Sequence, residues 1–264
     1  MWYPGHMAKA SRTIEEIKKH IDLVVELLDA RAPMATHAYS HQPIKAKKNV
    51  IVMGKSDLAD DTVTNRWKKF FEKAGEVVFV INKNTTTDEI VEFVADHVQK
   101  NGMIMVVGVP NVGKSTLINK LKGSRSARVG AMPGITRGLQ WFSIADRFRV
   151  LDTPGLLLPK LWSKELAAKL LLVGSLTVDM VPPQVMQKAF EIYARLVNIQ
   201  ENDLQKFLEG YALERKMLIK GGLPDTERAL VNFFNSVAQG KFGKFSFEVP
   251  EEVEDHQSDR LSAT

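Results

Sequence analysis

Apolar positions over the first 160 residues fall into two alternating rhythms. In short runs almost every residue is apolar, the pattern of strands buried on both faces. These are IDLVVELLD, ending near Asp29; residues 49–53; VVFVINK over residues 77–83; GMIMVVGVP, with its strand at residues 104–107; and FRVLD before Thr153. Between them lie segments with helical spacing. Residues 11–20 carry Ile14 and Ile17 three apart, residues 62–74 follow a helical pattern, and residues 88–99 place Ile90, Val91, Val94 and Val98 on one face. Apolar strands alternating with helices predict an α/β fold with a parallel-rich sheet covered on both sides. Ligands in such sheets bind at the loops after the strand C-termini.

Past Gly155 the rhythm changes. Leucine-rich, helix-like segments run from residue 163 to 239, interrupted at Pro182-Pro183 and Gly221-Gly222, and strand signals nearly vanish. The expected organisation is an α/β domain over residues 1–160, a small all-α domain over 165–247 and a disordered acidic tail over 248–264, with no internal repeat.

Composition narrows the classes. At 264 residues and 44% apolar content the chain can bury a sizeable core. No run approaches the 18 or so apolar residues of a membrane-spanning helix. MWYPGHMAKASR lacks the apolar stretch of a secretory signal, and zero cysteines exclude disulfides, cysteine-ligated zinc and thiol catalysis. A soluble, cytoplasmic protein is expected. The chain has 36 Lys and Arg against 31 Asp and Glu, a net +5. The tail holds six of the acids and one base, which leaves the body with 35 bases and 25 acids, or +10. That surplus fits either a polyanionic partner or a solubilising surface.

GVPNVGKS, from Gly108 to Ser115, matches the phosphate-loop pattern G-x-x-x-x-G-K-S/T and lies between an apolar strand and a helical segment, as the motif requires. The glycines let the loop (Pro110, Asn111, Val112 and Gly113, and on to Thr116) close around phosphate, with the N–H groups of its non-proline residues turned inward. Lys114 would neutralise the β and γ oxygens, and the Ser115 hydroxyl would ligate Mg²⁺. LDTPG places Asp152 at a strand end, suited to Mg²⁺ directly or through water, and Gly155 where its N–H meets a γ-phosphate. In the intervening GAMPGITRG, Thr136 is placed to complete the metal's ligands.

Gly54-Lys55-Ser56-Asp57 follows a strand and approximates the guanine-reading motif N/T-K-x-D, with Gly54 where Asn is usual. Asp57 would accept from the guanine N1–H and 2-amino group, and the Lys55 stem would cover the ring. Asn82, after the next strand, supplies a second base-side loop. The base-reading elements therefore precede the phosphate loop, a circular permutation of the standard GTPase sheet.

WYPGHMAKA at residues 2–10, DARAP at 29–33, GVPNVGKS, DTPG and GGLPDTERALVNFFNSVAQGKFGKF together resemble the YlqF/RbgA family of circularly permuted ribosome-assembly GTPases. The likeness covers nearly all of the chain except the acidic tail. It implies a P-loop GTPase domain followed by a helical domain, with GTP or GDP and Mg²⁺ as ligands. The partners implied are rRNA and a 50S-subunit precursor, bound in the GTP state and released on hydrolysis, by a monomer without membrane attachment. Leu156 stands where Ras-like proteins keep a water-orienting glutamine. The resemblance offers His6 for that task, although the sequence alone would make it a surface residue. It also gives Asn111 a place beside a K⁺ ion, against the plain alternative of a solvent-facing loop residue. His20, His37, His41, His97 and His256 show no metal-ligand spacing. Bases without intervening acids, Lys120, Lys122, Arg125, Arg128 and Arg137, suggest a basic rim beside the switch loop. Lys45, Lys47, Lys48, Arg215, Lys216, Lys220, Arg228, Lys241 and Lys244 add to the surplus. A rival function is a GTP-gated protein-binding module with incidental hydrolysis. A small-subunit GTPase is disfavoured, because the enzymes to compare carry a cysteine-rich zinc module or an added β-barrel, and this chain has no cysteine and no room for the barrel.

Overall fold

The computed structural model describes residues 20–37, 48–123, 127–130, 140–144, 147–152 and 163–251. Residues 11–19 of the helix expected over 11–20 lie outside them. Strands β1 (Leu23–Asp29), β2 (Lys48–Gly54), β3 (Val78–Val80), β4 (Gly102–Val107), β5 (Ala127–Gly130), β6 (Gln140–Ile144) and β7 (Phe148–Asp152) form one sheet in the order β3-β2-β1-β4-β7-β6-β5. The pairs on the β3-to-β7 side are parallel, while β6 and β5 add antiparallel edges. From β1 the chain proceeds to β2 and β3, whereas from β4 it proceeds to the other half of the sheet. The crevice at the carboxyl ends of β1 and β4 is thus the topological switch point, where open α/β sheets hold ligands.

The strands are buried because both faces are covered. Leu23, Val25 and Leu27 of β1 join Val50, Val52, Ile104 and Val106 in one apolar cluster. Leu28 joins Ile51, Met53 and Val78 under Trp67 and Phe71 of α2 (Asp61–Lys73). A short α1 (Pro33–Thr36) follows β1, and α3 (Thr87–Ala95) and α4 (Lys114–Lys122) flank β4 in sequence. Two elements are shorter than the apolar pattern predicts. β3 ends at Val80 because Ser56 takes the Ile81 carbonyl through its N–H and hydroxyl, and Asn82 then folds the chain on itself. α3 ends at Ala95, leaving Val98 in the turn that leads through Asn101, at φ 61°, to β4.

Helices α5 (Lys164–Leu172), α6 (Pro183–Val197), α7 (Leu204–Glu214) and α8 (Thr226–Ala238) form the helical segment. Phe233 of α8 is buried, with rings of Tyr193, Phe207, Tyr211 and Phe234 packed edge-on within 5.0–5.7 Å. Apolar contact is continuous from Leu23 and Val106 in the sheet to Phe190 and Phe233, so sheet and helices share one core.

After α8 the chain returns across the α/β part. Phe245 N–H donates to the Leu58 carbonyl at 3.0 Å, and Phe247 N–H to the Arg31 carbonyl at 2.7 Å. This return corrects the expected start of the acidic tail. Glu248 is only 6% exposed. Its carboxylate accepts from Met34 N–H at 2.8 Å and Ala35 N–H at 3.1 Å, with Lys169 Nζ 3.6 Å away, and its carbonyl accepts from Trp67 Nε1 at 3.1 Å. The reason is that α1 has no side-chain cap of its own, so a distant carboxylate satisfies its first N–H groups. Residues 252–264 lie outside the described residues.

Glu248→Ala should therefore cost about 1.5–3 kcal/mol in urea unfolding, the range for charged hydrogen bonds. Glu251→Ala removes an exposed pair with Arg66 and should cost less than about 1 kcal/mol. Equal losses from the two variants would show that Glu248 is not a structural cap.

Candidate functional site

The loop after β4 is shaped by close approach to β1. Gly108 has φ +149°, and a Cβ there would lie 2.5 Å from the Leu27 carbonyl oxygen, so only glycine lets the chain pass. Gly113, at φ +109°, serves as N-cap of α4. No side chain caps that helix and no acid occupies its first turn. By contrast, α2, α3, α5, α7 and α8 are capped by Asp60, Thr86, Ser163, Asp203 and Asp225. The head of α4, with Ser115 and Thr116 exposed on it, is a set of N–H donors and a helix dipole open to an anion.

Lys114 lies in the same loop. Its ammonium folds back to donate to the Gly108 carbonyl at 2.8 Å and the Val109 carbonyl at 2.7 Å. Burial lowers its pKa to about 8. A cation desolvated in this way, beside uncapped N–H groups, fits the phosphates of a nucleotide. The oxygen donors Ser115 and Asp152 suit a hard cation such as Mg²⁺. Asp152 ends β7, with its side chain outside the described residues. His6, Thr136, Gly155 and Leu156 also lie outside them, as do Lys45, Lys47, Arg125 and Arg137.

Next to the loop is a cavity of about 230 Å³ between the two base-side loops and α4. Leu27, Ile81, Val112 and Leu117 supply apolar walls, and Lys55, Asp57, Asn82, Lys83, Gly113, Thr116 and Lys120 supply polar groups. The loops are tied together in three ways. Ser56 holds the Ile81 carbonyl, Lys120 Nζ donates to the Thr85 carbonyl at 2.7 Å, and Lys55 Nζ donates to the Asn111 carbonyl at 2.6 Å. The Asn82 side-chain oxygen accepts from Asn84 and Thr85 N–H, so this residue builds its loop. The Asn111 amide donates to the Gly174 carbonyl at 2.8 Å, toward the helical segment. At Gly54, a Cβ would face the Val112 carbonyl at 3.6 Å and Leu27 Cδ1 at 3.3 Å. With no side chain there, Lys55 carries the link from this loop to the phosphate loop.

Two further residues were not singled out for chemistry by the sequence. Asp29, fully buried at the end of β1, accepts from Arg31 Nε at 2.9 Å and Arg31 Nη2 at 2.8 Å, and lies 3.1 Å from Lys55 Nζ. Burial pushes its carboxyl up, but the Arg31 hydrogen bonds and the charges of Arg31 and Lys55 outweigh that and hold it below the ordinary value. Arg31, 1% exposed, also donates to the carbonyls of Ala238 at 2.8 Å and Val173 at 3.1 Å. The signal available in the sequence was DARAP itself, opposite charges directly after an apolar strand.

Of the bases expected beside the switch loop, only Lys120 and Lys122 have described side chains. Lys120 holds a carbonyl, Lys122 lies over Phe142, Arg215 stacks on Tyr211, and Lys244 pairs with Asp61. Lys216, Lys220, Arg228 and Lys241 remain exposed on the helical segment.

Residues 103–218 match the protein-family profile described as 50S ribosome-binding GTPase. The chain is 47% identical over 253 residues to Ribosome biogenesis GTPase A of Thermotoga maritima, covering 96% of this chain and 95% of that one. Among solved structures, GNP-bound YlqF from T. maritima superposes with a TM-score of 0.80 at 43% identity, over 92% of this chain and 99% of that one. GDP-bound TM YlqF superposes with a TM-score of 0.78 at 43% identity, over 91% and 100%.

The state of Lys114 generates a pH test. Phosphate contact favours the protonated ammonium, so binding raises a pKa that starts at about 8. GDP affinity should hold steady below that pH and fall about tenfold per unit as pH rises through it, until the pKa of the complex is reached. Calorimetric titration at pH 8.5 in two buffers of different ionisation enthalpy should register proton uptake. Affinity that stays flat from pH 7 to 9.5 would mean that Lys114 does not meet the phosphates.

Proposed function

This chain belongs to the YlqF/RbgA family, the ribosome biogenesis GTPase A proteins, and on that premise we propose that it binds GTP, hydrolyses it to GDP and phosphate, and serves assembly of the large ribosomal subunit. The observation that carries the reading is the uncapped head of α4 with the desolvated Lys114 beside a two-loop cavity that contains Asp57. Gly113, Lys114 and Thr116 hold phosphate, with Pro110, Asn111 and Val112 shaping the loop. Asp57 reads the guanine edge, and Lys55 and Asn82 set the loops around the base. Ser115, Thr136 and Asp152 would hold Mg²⁺, which supplies charge neutralisation across the β and γ oxygens. Gly155 offers its N–H to the γ-phosphate.

Leu156 has no polar group with which to hold water. His6 takes that part, as an imidazole that orients or deprotonates the attacking water when a ribosomal particle organises the switch loop. Turnover is slow without the particle. The Asn111 oxygen would contribute to a K⁺ site only in addition to the contact that its amide makes with Gly174. The partner is a 50S precursor with exposed rRNA, met through bases such as Lys216, Lys220, Arg228 and Lys241 and released after hydrolysis. The protein works as a cytoplasmic monomer.

GTP hydrolysis measured alone, with 50S and with 30S particles tests the role. Stimulation by 50S alone is expected, and tight GTP-dependent binding of a protein with no stimulation would instead favour a gated binding module. Asp57→Asn should shift preference from GTP to xanthosine triphosphate. Unaltered GTP binding in that variant would remove Asp57 from the base site. His6→Ala should keep GTP affinity and reduce stimulated turnover by about 10²–10⁴-fold. A loss of only about twofold, far below the range for such groups, would exclude His6 as the water-orienting residue.

A further inference from the structure

The end of α5, the end of α8, β1, the Lys55 loop and the phosphate loop meet at one chain of polar contacts, buried at Asp29 and Arg31 and open to solvent at Lys55 and Asn111. Arg31 donates to the carbonyl of Val173, just past α5, and to that of Ala238, the last residue of α8. Carbonyls at helix C-termini carry the negative end of the helix dipole and lack intrahelical partners, so a guanidinium there stabilises both helix ends. The same guanidinium grips both oxygens of Asp29. Asp29 lies against Lys55, and Lys55 reaches the Asn111 carbonyl in the phosphate loop. Asn111 closes the circuit through its amide to Gly174, one residue past Val173.

We propose that Asp29 and Arg31 are positioning residues that couple the seating of the helical segment to guanine-nucleotide affinity, acting through Lys55. The inference rests on the guanine-nucleotide reading of the site. With the helix ends seated, Arg31 fixes Asp29, and Asp29 fixes the Lys55 ammonium against the phosphate loop. This anchor matters more here because Gly54 offers no side chain to tie the base loop to the Val112 carbonyl. When the helix ends are drawn away, Arg31 loses its carbonyl partners, Asp29 and Lys55 lose a fixed geometry, and GDP leaves faster. Coupling of this kind is reciprocal, so bound GDP holds the helix ends in place by the same factor. A macromolecule that grips the helical segment thereby controls nucleotide release without touching the nucleotide.

The test is a double-mutant cycle on the dissociation rate of a fluorescent GDP from the full chain. Arg31→Lys keeps the charge but not the planar fork, and Lys55→Met keeps the stem but not the ammonium. Each should raise the dissociation rate by about 5- to 150-fold, the usual span of coupling between sites. In the Lys55→Met background, Arg31→Lys should add less than twofold. An equal effect in both backgrounds would overturn the proposal, because general destabilisation does not depend on Lys55. If Arg31→Lys does not fold, Gly174→Ala enters the cycle from the helical side. Gly174 has φ +77°, and its added Cβ would meet Ala238 Cβ at 3.0 Å, which wedges the two helix ends apart. It should speed GDP release in the wild type but not in Lys55→Met. As the reciprocal readout, GDP should slow amide exchange just past α5 and α8 in the wild type and not in Lys55→Met. Failure of the wild type to bind GDP at all would bring down the nucleotide reading together with this one. Binding without coupling would overturn this one alone.

Discussion

Arg31 carries a permanent charge into a place that water does not reach. Burying such a charge is costly, and one opposed carboxylate seldom repays it. Here the guanidinium is surrounded by acceptors: both oxygens of Asp29 and the carbonyls of two helix ends. Its own carbonyl accepts from Phe247 in the returning chain. Satisfied in this way, the charge becomes a constraint. β1, α5, α8 and the return segment all reach it. The shared apolar core supplies area without direction, whereas this polar centre sets how the helical segment sits on the sheet.

The same centre explains the compactness of the nucleotide site. Gly108 lets the phosphate loop run against the Leu27 carbonyl, and two residues beyond Leu27 the strand ends in Asp29. The carboxylate that holds Arg31 and the loop that would hold phosphate therefore belong to neighbouring strands at the switch point. Lys55, in the left-handed region at φ 57°, spans the short gap between them.

Much of this was readable in the residues, and the limits have physical causes. Strands β1 to β4 and β7 announce themselves because residues buried on both faces leave few polar interruptions, whereas β5 and β6, the antiparallel pair at the sheet edge, carry no such apolar run and are not predicted. The phosphate loop is legible because its glycines and lysine answer to local backbone geometry. Glu248 reads as part of an acidic tail because charge along a segment says nothing about a helix start more than 200 residues earlier that lacks a cap. Arg31 and Asp29 could be seen as a pair of opposite charges, but the helix ends they serve are fixed only by tertiary packing. Asn82 sits in the expected loop, yet its oxygen is spent within that loop, a local turn that residue type alone does not distinguish from ligand contact.

The return segment has a consequence for the order in which the chain matures. Arg31 is made early in synthesis, but Val173 comes 142 positions later, Ala238 207 positions later, and its partner Phe247 is later still. Contacts so far apart along the chain close late, because the loop entropy must be met before they return any stability. A nascent chain that has finished β1 and the phosphate loop still lacks the carbonyls that complete the polar centre. The polar centre therefore closes only after α8 and the return segment have been made, so the helical segment is seated on a sheet and a phosphate loop that precede it along the chain.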